Sequence, residues 1–210
     1  MMRFSDMIDG YRRFRSDGWA RERERWARLA GGQSPRVMVI ACSDSRVEPA
    51  IIFDANPGEM FVVRNVANLA PPYETTGGYH GVSAALEFAV TQLEVEEVVV
   101  MGHGQCGGCA AALTQQFKDA PSGEGRFIAN WVKMLEPARV KVGAHGEMDR
   151  EAFLRMEWEA VKISLANLRT FPWVAEREGD GRLSLHGCHF AIAEGTLCIL
   201  DEAEDTFRLV

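Results

Sequence analysis

Two short segments of the chain carry most of the side chains that could do chemistry. The first, ACSDSR, spans residues 41–46, and the second, GHGQCGGC, spans residues 102–109. Thiolate and imidazole are preferred zinc ligands, and a catalytic zinc takes three protein ligands and keeps a fourth position open. If the two segments meet in space, Cys42, His103 and Cys106 can therefore form three corners of a tetrahedral zinc site.

Each segment follows an apolar run that is typical of a buried parallel strand. Residues 36–41, 60–63 and 97–101 form three such runs, and the stretch 82–93 has apolar residues at helical spacing. This order of strand, helix and strand predicts a parallel sheet, in which ligands bind beyond the carboxyl ends of the strands. If the first and third strands are neighbours, the two segments face each other across a crevice.

The remaining patterns complete a single α/β domain over residues 1–210. Residues 1–30 predict a helical arm, and the core follows from residue 31, after glycines that break the helix. The fold class is therefore α/β, with a mainly parallel central β-sheet flanked by helices, an N-terminal helical arm and a C-terminal antiparallel hairpin. The later predicted elements are a helix from residue 107, a helix over 153–168, and a hairpin from 183–185 and 196–200 with Gly195 near its turn.

Composition limits the function classes. Of the 210 residues, 47% are hydrophobic and 25% charged, as in ordinary globular proteins, and the net charge of −7 disfavours nucleic-acid binding. No apolar run approaches the roughly 18 residues of a membrane span, so no membrane association is expected. The first residues lack the apolar stretch of a signal peptide, which predicts a cytoplasmic protein with reduced cysteines.

Two other interpretations of the cysteines compete with the zinc site. Cys106 and Cys109 form a CxxC at the start of a predicted helix, which is typical of thioredoxin-like redox proteins. That interpretation leaves the whole first segment and His103 unexplained. Cys188 and His189 could be a further metal pair, but two more ligands are missing nearby, so they are interpreted as core or turn residues.

At these residues the sequence resembles the β-class carbonic anhydrases. The motifs are ACSDSRV at 41–47, PGEMFVVRNVAN at 57–68 and GHGQCGG at 102–108, and LHG at 185–187 followed by GTL at 195–197 is similar to the family's C-terminal hairpin. The resemblance implies reversible hydration of carbon dioxide to bicarbonate and a proton. It also implies one zinc per chain on Cys42, His103 and Cys106. A non-catalytic zinc-binding scaffold on the same fold is the alternative that turnover would exclude.

The resemblance also implies roles for residues around the metal. Asp44 and Arg46 match the family's dyad: the carboxylate can accept a hydrogen bond from the reacting water, and the guanidinium keeps it ionised. Gln33 matches a glutamine that donates to the substrate oxygen. The residues expected to line the carbon dioxide pocket are Phe61, Val66, Phe88 and Gly107.

The subgroup markers favour a site that stays open. Gln33 is typical of the plant-type subgroup, and Val39 stands where the other subgroup has a tryptophan that helps to bind bicarbonate. An apolar wall is a poor host for an unpaired anion, so Asp44 is expected to stay on Arg46. Phe88 is a departure, because the plant-type pattern has a tyrosine at that position.

The composition of the N-terminal arm predicts that the chain forms an oligomer. Its aromatic residues have little domain surface of their own to cover, which indicates a partner chain. The resemblance implies a homodimer with the active site at its interface, and two dimers can pair further into a tetramer. The arm aromatics are Tyr11, Phe14, Trp19 and Trp26.

The predicted ligand set has a consequence for pH dependence. Two thiolates cancel the formal charge of Zn²⁺, so the bound water should ionise above the pH of about 7 that is typical of a three-histidine site. We expect turnover in a stopped-flow pH-indicator assay to rise between about pH 7 and about pH 9. The metal-depleted protein is the control, and a flat profile would contradict the charge argument.

Overall fold

A computed structural model of the chain describes residues 2–76, 78–119, 126–143 and 148–210. These residues form two compact units, Met1–Ser34 and Pro35–Val210. The strands are β1 Val37–Cys42, β2 Met60–Asn65, β3 Glu97–His103, β4 Ser184–Ala191, β5 Thr196–Asp201 and β6 Thr206–Leu209. The α-helices are α1 Phe4–Arg13, α2 Trp19–Arg21, α3 Arg23–Leu29, α4 Pro49–Ile52, α5 Gly81–Glu87, α6 Gly107–Leu113, α7 Arg126–Val132, α8 Glu136–Gly143, α9 Arg150–Leu168 and α10 Pro172–Gly179.

The six strands form one sheet in the order β2-β1-β3-β4-β5-β6. The first four strands in that order are mutually parallel, and β5 and β6 are antiparallel to their neighbours. The expected neighbours are confirmed, because β1 pairs with β3 from Val37 opposite Glu97 to Ala41 opposite Met101. The predicted fold class, with its parallel sheet and closing antiparallel strands, is also confirmed.

The central strand β1 is buried on both faces, as its continuous apolar run predicts. Successive side chains of a strand point to opposite faces, so Met38 and Ile40 pack into one hydrophobic cluster while Val39 and Ala41 pack into the other. The strand therefore cannot shift its register by one residue without exchanging its two faces. This fixes the place at which Cys42 emerges at the carboxyl end.

The C-terminal strands differ from the predicted hairpin. Residues 184–190 pair in parallel with β3, and Cys188–Ala191 also pair antiparallel with β5 on the other side. The first strand of the predicted hairpin, residues 183–185, is therefore longer than predicted, because β4 pairs with both β3 and β5. Gly195 does lie in the turn, with a positive φ of 66°. The strand β6 was not predicted, because Phe207 is its one buried side chain and no apolar run marks it.

Two predicted helices are interrupted. The stretch 82–93 is α5 followed by a π-helical turn at Phe88–Gln92, and the N-terminal arm contains a similar turn at Phe14–Gly18. The helix predicted over 153–168 begins earlier, at Arg150, after Asp149 caps it by accepting the Ala152 N–H. In the part of the chain that the structure describes, no helix has the length and apolarity needed to cross a bilayer.

Helix α9 lies unusually close to the sheet because two glycines face it. A Cβ on Gly102 of β3 would lie 2.7 Å from Val161 Cγ2, and one on Gly187 of β4 would lie 2.8 Å from Val161 Cγ1. Such contacts are shorter than real side chains tolerate, so only glycine allows this approach. The close packing brings the N-terminal half of α9 beside the carboxyl end of β3.

The apolar residues of the N-terminal unit are exposed or half-buried. None of its helices contains a buried residue, although Phe14 and Trp26 make an edge-to-face contact and Arg15 stacks on Trp19. Gln33 belongs to this unit, and its assignment as a substrate donor remains a prediction.

Candidate metal centre

Three buried donor atoms converge where β1 and β3 end. Cys42 is the last residue of β1, His103 is the last residue of β3, and Cys106 lies three residues further on, at the start of α6. One ligand atom from each lies within 4.8 Å of the others, and the two sulfurs are 4.0 Å apart. Two sulfurs bound tetrahedrally to one zinc at ~2.3 Å are about 3.8 Å apart. The geometry therefore fits a single zinc ion.

The His103 ring is oriented to offer one nitrogen to a metal. Its Nδ1 lies 2.9 Å from the carbonyl oxygen of Gly104, which accepts the Nδ1–H. Its Nε2 is fully buried and has no hydrogen-bond partner among the residues described. A buried polar atom without a partner costs stability, whereas a bond from Nδ1–H to a carbonyl is the usual support of a zinc-bound imidazole. The His103 Nε2 is therefore available to bind a cation.

The two thiols depend on a cation to ionise. Contact with the Cys106 thiol, together with burial, raises the pKa of Cys42 to about 12. Contact with the Cys109 thiol, together with burial, raises the pKa of Cys106 above its ordinary value. Neither sulfur is a thiolate at neutral pH by itself, but a coordinating thiol loses its proton to the metal. Zinc binding is thus coupled to the release of two protons.

Asp44 and Arg46 form a bidentate ion pair beside the sulfurs. Arg46 donates from Nε to Asp44 Oδ1 at 2.9 Å and from Nη2 to Oδ2 at 2.7 Å, and its backbone N–H also reaches Oδ1. These bonds hold the pKa of Asp44 far below its ordinary value. Arg46 Nη2 also donates to the carbonyl oxygen of Gln105 at 3.0 Å. The pair therefore joins the two ligand-bearing segments and keeps a carboxylate ionised at the site.

Arg64 holds the backbone of the first segment. Its Nε donates to the carbonyl oxygen of Cys42 at 2.9 Å, and its Nη2 donates to that of Asp44 at 2.7 Å. An ion pair with Glu48 orients the guanidinium. The sequence places Arg64 in a motif of the family, but only the structure shows which atoms it binds.

Two residues behind Cys106 were not identified from the sequence as part of the site. Glu157 of α9 accepts the backbone N–H of Cys106, and His189 of β4 contacts the other carboxylate oxygen. The sequence did contain one indication of this role, because Glu157 lies on the apolar face of α9 between Met156 and Ala160. His189 does lie in the core, as expected, and it also contacts this carboxylate.

The structure separates the predicted pocket residues into two pairs. Val66 follows the end of β2 and Gly107 follows a metal ligand, so both lie at the ligand end of the sheet. Phe61 and Phe88 contact each other, with ring centroids 5.9 Å apart. Phe61 is paired with a residue four places before Cys42 in β1, which is roughly 13 Å along the strand. Within one chain, the two phenylalanines are therefore not beside the candidate metal centre.

Comparison with known proteins decides the family. The carbonic anhydrase family model matches residues 37–197. The chain is 36% identical over 189 residues to β-carbonic anhydrase 3 of Arabidopsis thaliana, an alignment that covers 89% of this chain and 72% of that protein. The chain belongs to the β-carbonic anhydrase family. The structure of the β-carbonic anhydrase CcaA superposes with a TM-score of 0.90 at 32% identity, over 98% of this chain and 91% of that one.

Further β-carbonic anhydrases share the fold at lower identity. One of two tetrameric enzymes from Sordaria macrospora matches with a TM-score of 0.82 at 28% identity, over 94% of this chain and 96% of that one. The enzyme from Coccomyxa, solved with acetazolamide, also has a TM-score of 0.82, at 29% identity over 95% of this chain and 87% of that one. The chain is accordingly a zinc-dependent carbonic anhydrase, which interconverts carbon dioxide and bicarbonate. The alternative interpretation of Cys106 and Cys109 as a redox pair is therefore set aside.

The ligand geometry generates a test of Cys42. Cys42→Ser replaces a thiolate ligand by a hydroxyl, which zinc does not readily ionise, so we expect bound zinc to fall well below one per chain and turnover to fall with it. Metal content is measured by elemental analysis of the dialysed protein. Cys198→Ser, at a half-buried thiol outside the ligand group, is the control and should keep its zinc. Stoichiometric zinc in Cys42→Ser would mean that Cys42 is not a ligand.

Proposed function

We propose that Cys42, His103 and Cys106 hold the zinc and that Asp44, fixed by Arg46, positions the reacting water. The observation that carries this assignment is the convergence of three buried donor atoms, with the His103 Nε2 left without a hydrogen-bond partner among the described residues. When bound, zinc supplies the Lewis acidity that ionises a water near neutral pH. The residues of the chain orient that water for reaction with carbon dioxide.

Asp44 acts as a fixed acceptor. Both of its oxygens are held by Arg46, so the carboxylate is ionised and can only accept hydrogen bonds. A water or hydroxide whose O–H points at Asp44 has its lone pair directed elsewhere, toward the carbon of carbon dioxide. Arg46 cannot be deprotonated near neutral pH, so this orientation persists across the working range. The dyad therefore reduces the orientational freedom of the nucleophile.

Carbon dioxide is apolar and needs a dry wall rather than a charged pocket. We assign that wall to Val66 and Gly107 at the ligand end of the sheet, and to Phe61 and Phe88 from a second copy of the chain. Phe61 lies too far along β2 to reach the candidate metal centre of its own chain, and Phe88 packs against Phe61. Gln33 is assigned as the donor to the substrate oxygen, on the resemblance alone.

The Asp44 assignment is tested by Asp44→Asn. The amide can donate to the nucleophile and no longer binds Arg46 as an anion, so we expect kcat to fall by about 10²-fold, with zinc retained. Asp180→Asn is a matched control, because Asp180 also forms an i,i+2 ion pair, with Nε and Nη2 of Arg182 both donating to its Oδ2, far along the sequence from Asp44. Unchanged turnover in Asp44→Asn, with zinc bound, would exclude Asp44 from the mechanism.

We propose that the working enzyme is a homodimer, formed with the help of the N-terminal arm, and that dimers pair further into a tetramer. The exposed aromatics of the arm and the separation of the pocket into two pairs support a second copy at the site. The structurally similar enzymes of Sordaria macrospora are tetrameric. We retain residues 1–210 as one functional domain whose arm serves the neighbouring chain.

The assembly is tested by sedimentation velocity at low protein concentration. We expect dimers or larger even-numbered species, and we expect the double variant Tyr11→Glu, Phe14→Glu to dissociate in part, because both side chains are exposed within one chain and apolar. Turnover should fall together with the dimer fraction. A folded monomer with full activity would contradict the proposed shared site.

We also propose a cytoplasmic location. All five cysteines are free, and the two ligand sulfurs must remain reduced to bind zinc. A reducing compartment meets that requirement without further protection.

A further inference from the structure

A buried carboxylate–imidazole pair lies directly behind the second cysteine ligand. Glu157 of α9 is 4% exposed and His189 of β4 is 2% exposed. Glu157 Oε1 accepts the backbone N–H of Cys106 at 3.0 Å, and Glu157 Oε2 lies 3.0 Å from His189 Nε2. Each carboxylate oxygen thus has one partner, one on the ligand turn and one on the sheet.

Packing alone does not account for a carboxylate at this position. The neighbouring buried positions of α9 are apolar, with Met156 on one side and Ala160 and Val161 on the other. A buried carboxylate is costly unless donors satisfy it, and an apolar residue of similar volume is often at least as stable. What Glu157 offers, and methionine would not, is a hydrogen-bond acceptor for the Cys106 N–H.

That N–H belongs to a strained turn. Gln105, the residue before it, has a left-handed φ of 58°, which is uncommon for a residue other than glycine. Cys106 precedes the first turn of α6, where backbone N–H groups have no acceptor within the helix. A hydrogen bond to this N–H fixes the peptide plane between the two residues, and with it the direction in which the Cys106 side chain leaves the backbone.

His189 is itself held in place. Its ring makes edge contacts with Trp158 and Phe207, each with centroids 6.4 Å apart, and those two rings stack on each other. In the sheet, His189 is opposite Gly102, next to the ligand His103. The imidazole therefore provides Glu157 with a rigid partner from the same strand pairing that positions the metal site.

We propose that Glu157 is a positioning residue for the zinc ligand Cys106, and that His189 locks Glu157 in that role. The pair determines how well the Cys106 sulfur is oriented toward the metal, and so how slowly the metal leaves. The inference rests on the proposed function in one respect, namely that Cys106 is a zinc ligand.

The test compares Glu157→Met with Glu157→Gln. Methionine preserves volume but leaves the Cys106 N–H without its acceptor, so we expect zinc transfer to a chromogenic chelator to accelerate by about 10- to 100-fold. Glutamine keeps a carbonyl oxygen at the same place and should stay within about 3-fold of the parent rate. In cobalt-substituted protein, the thiolate-to-cobalt absorption should shift for methionine and not for glutamine.

Glu159→Met is the matched control on the same helix. Glu159 pairs with Lys141 and Lys162 and, among the residues that the structure describes, makes no hydrogen bond to Gln105 or Cys106, so zinc release and the cobalt spectrum of this variant should match the parent. His189→Phe is a second probe, because it keeps an aromatic ring and removes the partner of Glu157. We expect it to accelerate zinc release on the order of 10-fold, and it decides the question if Glu157→Met does not fold.

Two results would overturn the proposal. The first is a folded Glu157→Met protein with the parent rate of zinc release and the parent cobalt spectrum. The second is an equal acceleration of zinc release in Glu157→Gln and Glu157→Met, which would assign the effect to the charge of Glu157 rather than to its hydrogen bond. Cys106→Ser separates these from a failure of the ligand assignment itself, since retained zinc and unchanged thiolate absorption there would mean that Cys106 is not a ligand.

Discussion

The parallel pairing of β1 with β3 is the constraint on which the site depends. The two strands run in the same direction with a register set by their buried faces, so Cys42 and His103 emerge at the same edge of the sheet. Cys106 follows within one turn and completes the group. No local feature of either segment would bring these atoms together, because each segment taken by itself contains at most two of the three ligands.

The ligands are positioned mainly through their backbone. Arg64 binds the carbonyl of Cys42, Arg46 binds the carbonyl of Gln105, and Glu157 binds the N–H of Cys106. None of these bonds uses the sulfur or the Nε2 that the metal needs. Preorganised ligands of this kind lose little conformational entropy when a metal binds, and loss of their supporting hydrogen bonds weakens metal binding.

The electrostatics of the site favour the occupied state. A buried imidazole nitrogen without a described partner is unfavourable by itself, and the two buried thiols have raised pKa values. A divalent cation satisfies the nitrogen and allows both thiols to ionise. The Asp44–Arg46 pair adds an ionised carboxylate without adding net charge. Of the four residues predicted to line the pocket, Phe61 and Phe88 lie away from the candidate metal centre of their own chain.

The amino-acid sequence is enough to predict the fold class and the three candidate zinc ligands. Continuous apolar runs mark β1, β2 and β3 regardless of context, and cysteine and histidine after two of them are chemically distinctive. The short edge strand β6 was missed because its pairing to β5, rather than a run of apolar residues, makes it a strand. The parallel pairing of β4 with β3 was not predicted, because an alternating pattern indicates a strand but does not identify its neighbours.

The residues that surround the candidate ligands become evident only when the whole chain is folded. Glu157 and Arg64 bind backbone atoms that are distant in sequence, and His189 contacts the Glu157 side chain. Nothing in the residue types alone identifies these partners. Phe61 and Phe88 were expected beside the metal, yet the strand register places them away from it in the same chain. Residue type determines which chemistry is available, whereas distance between side chains depends on how the whole chain packs.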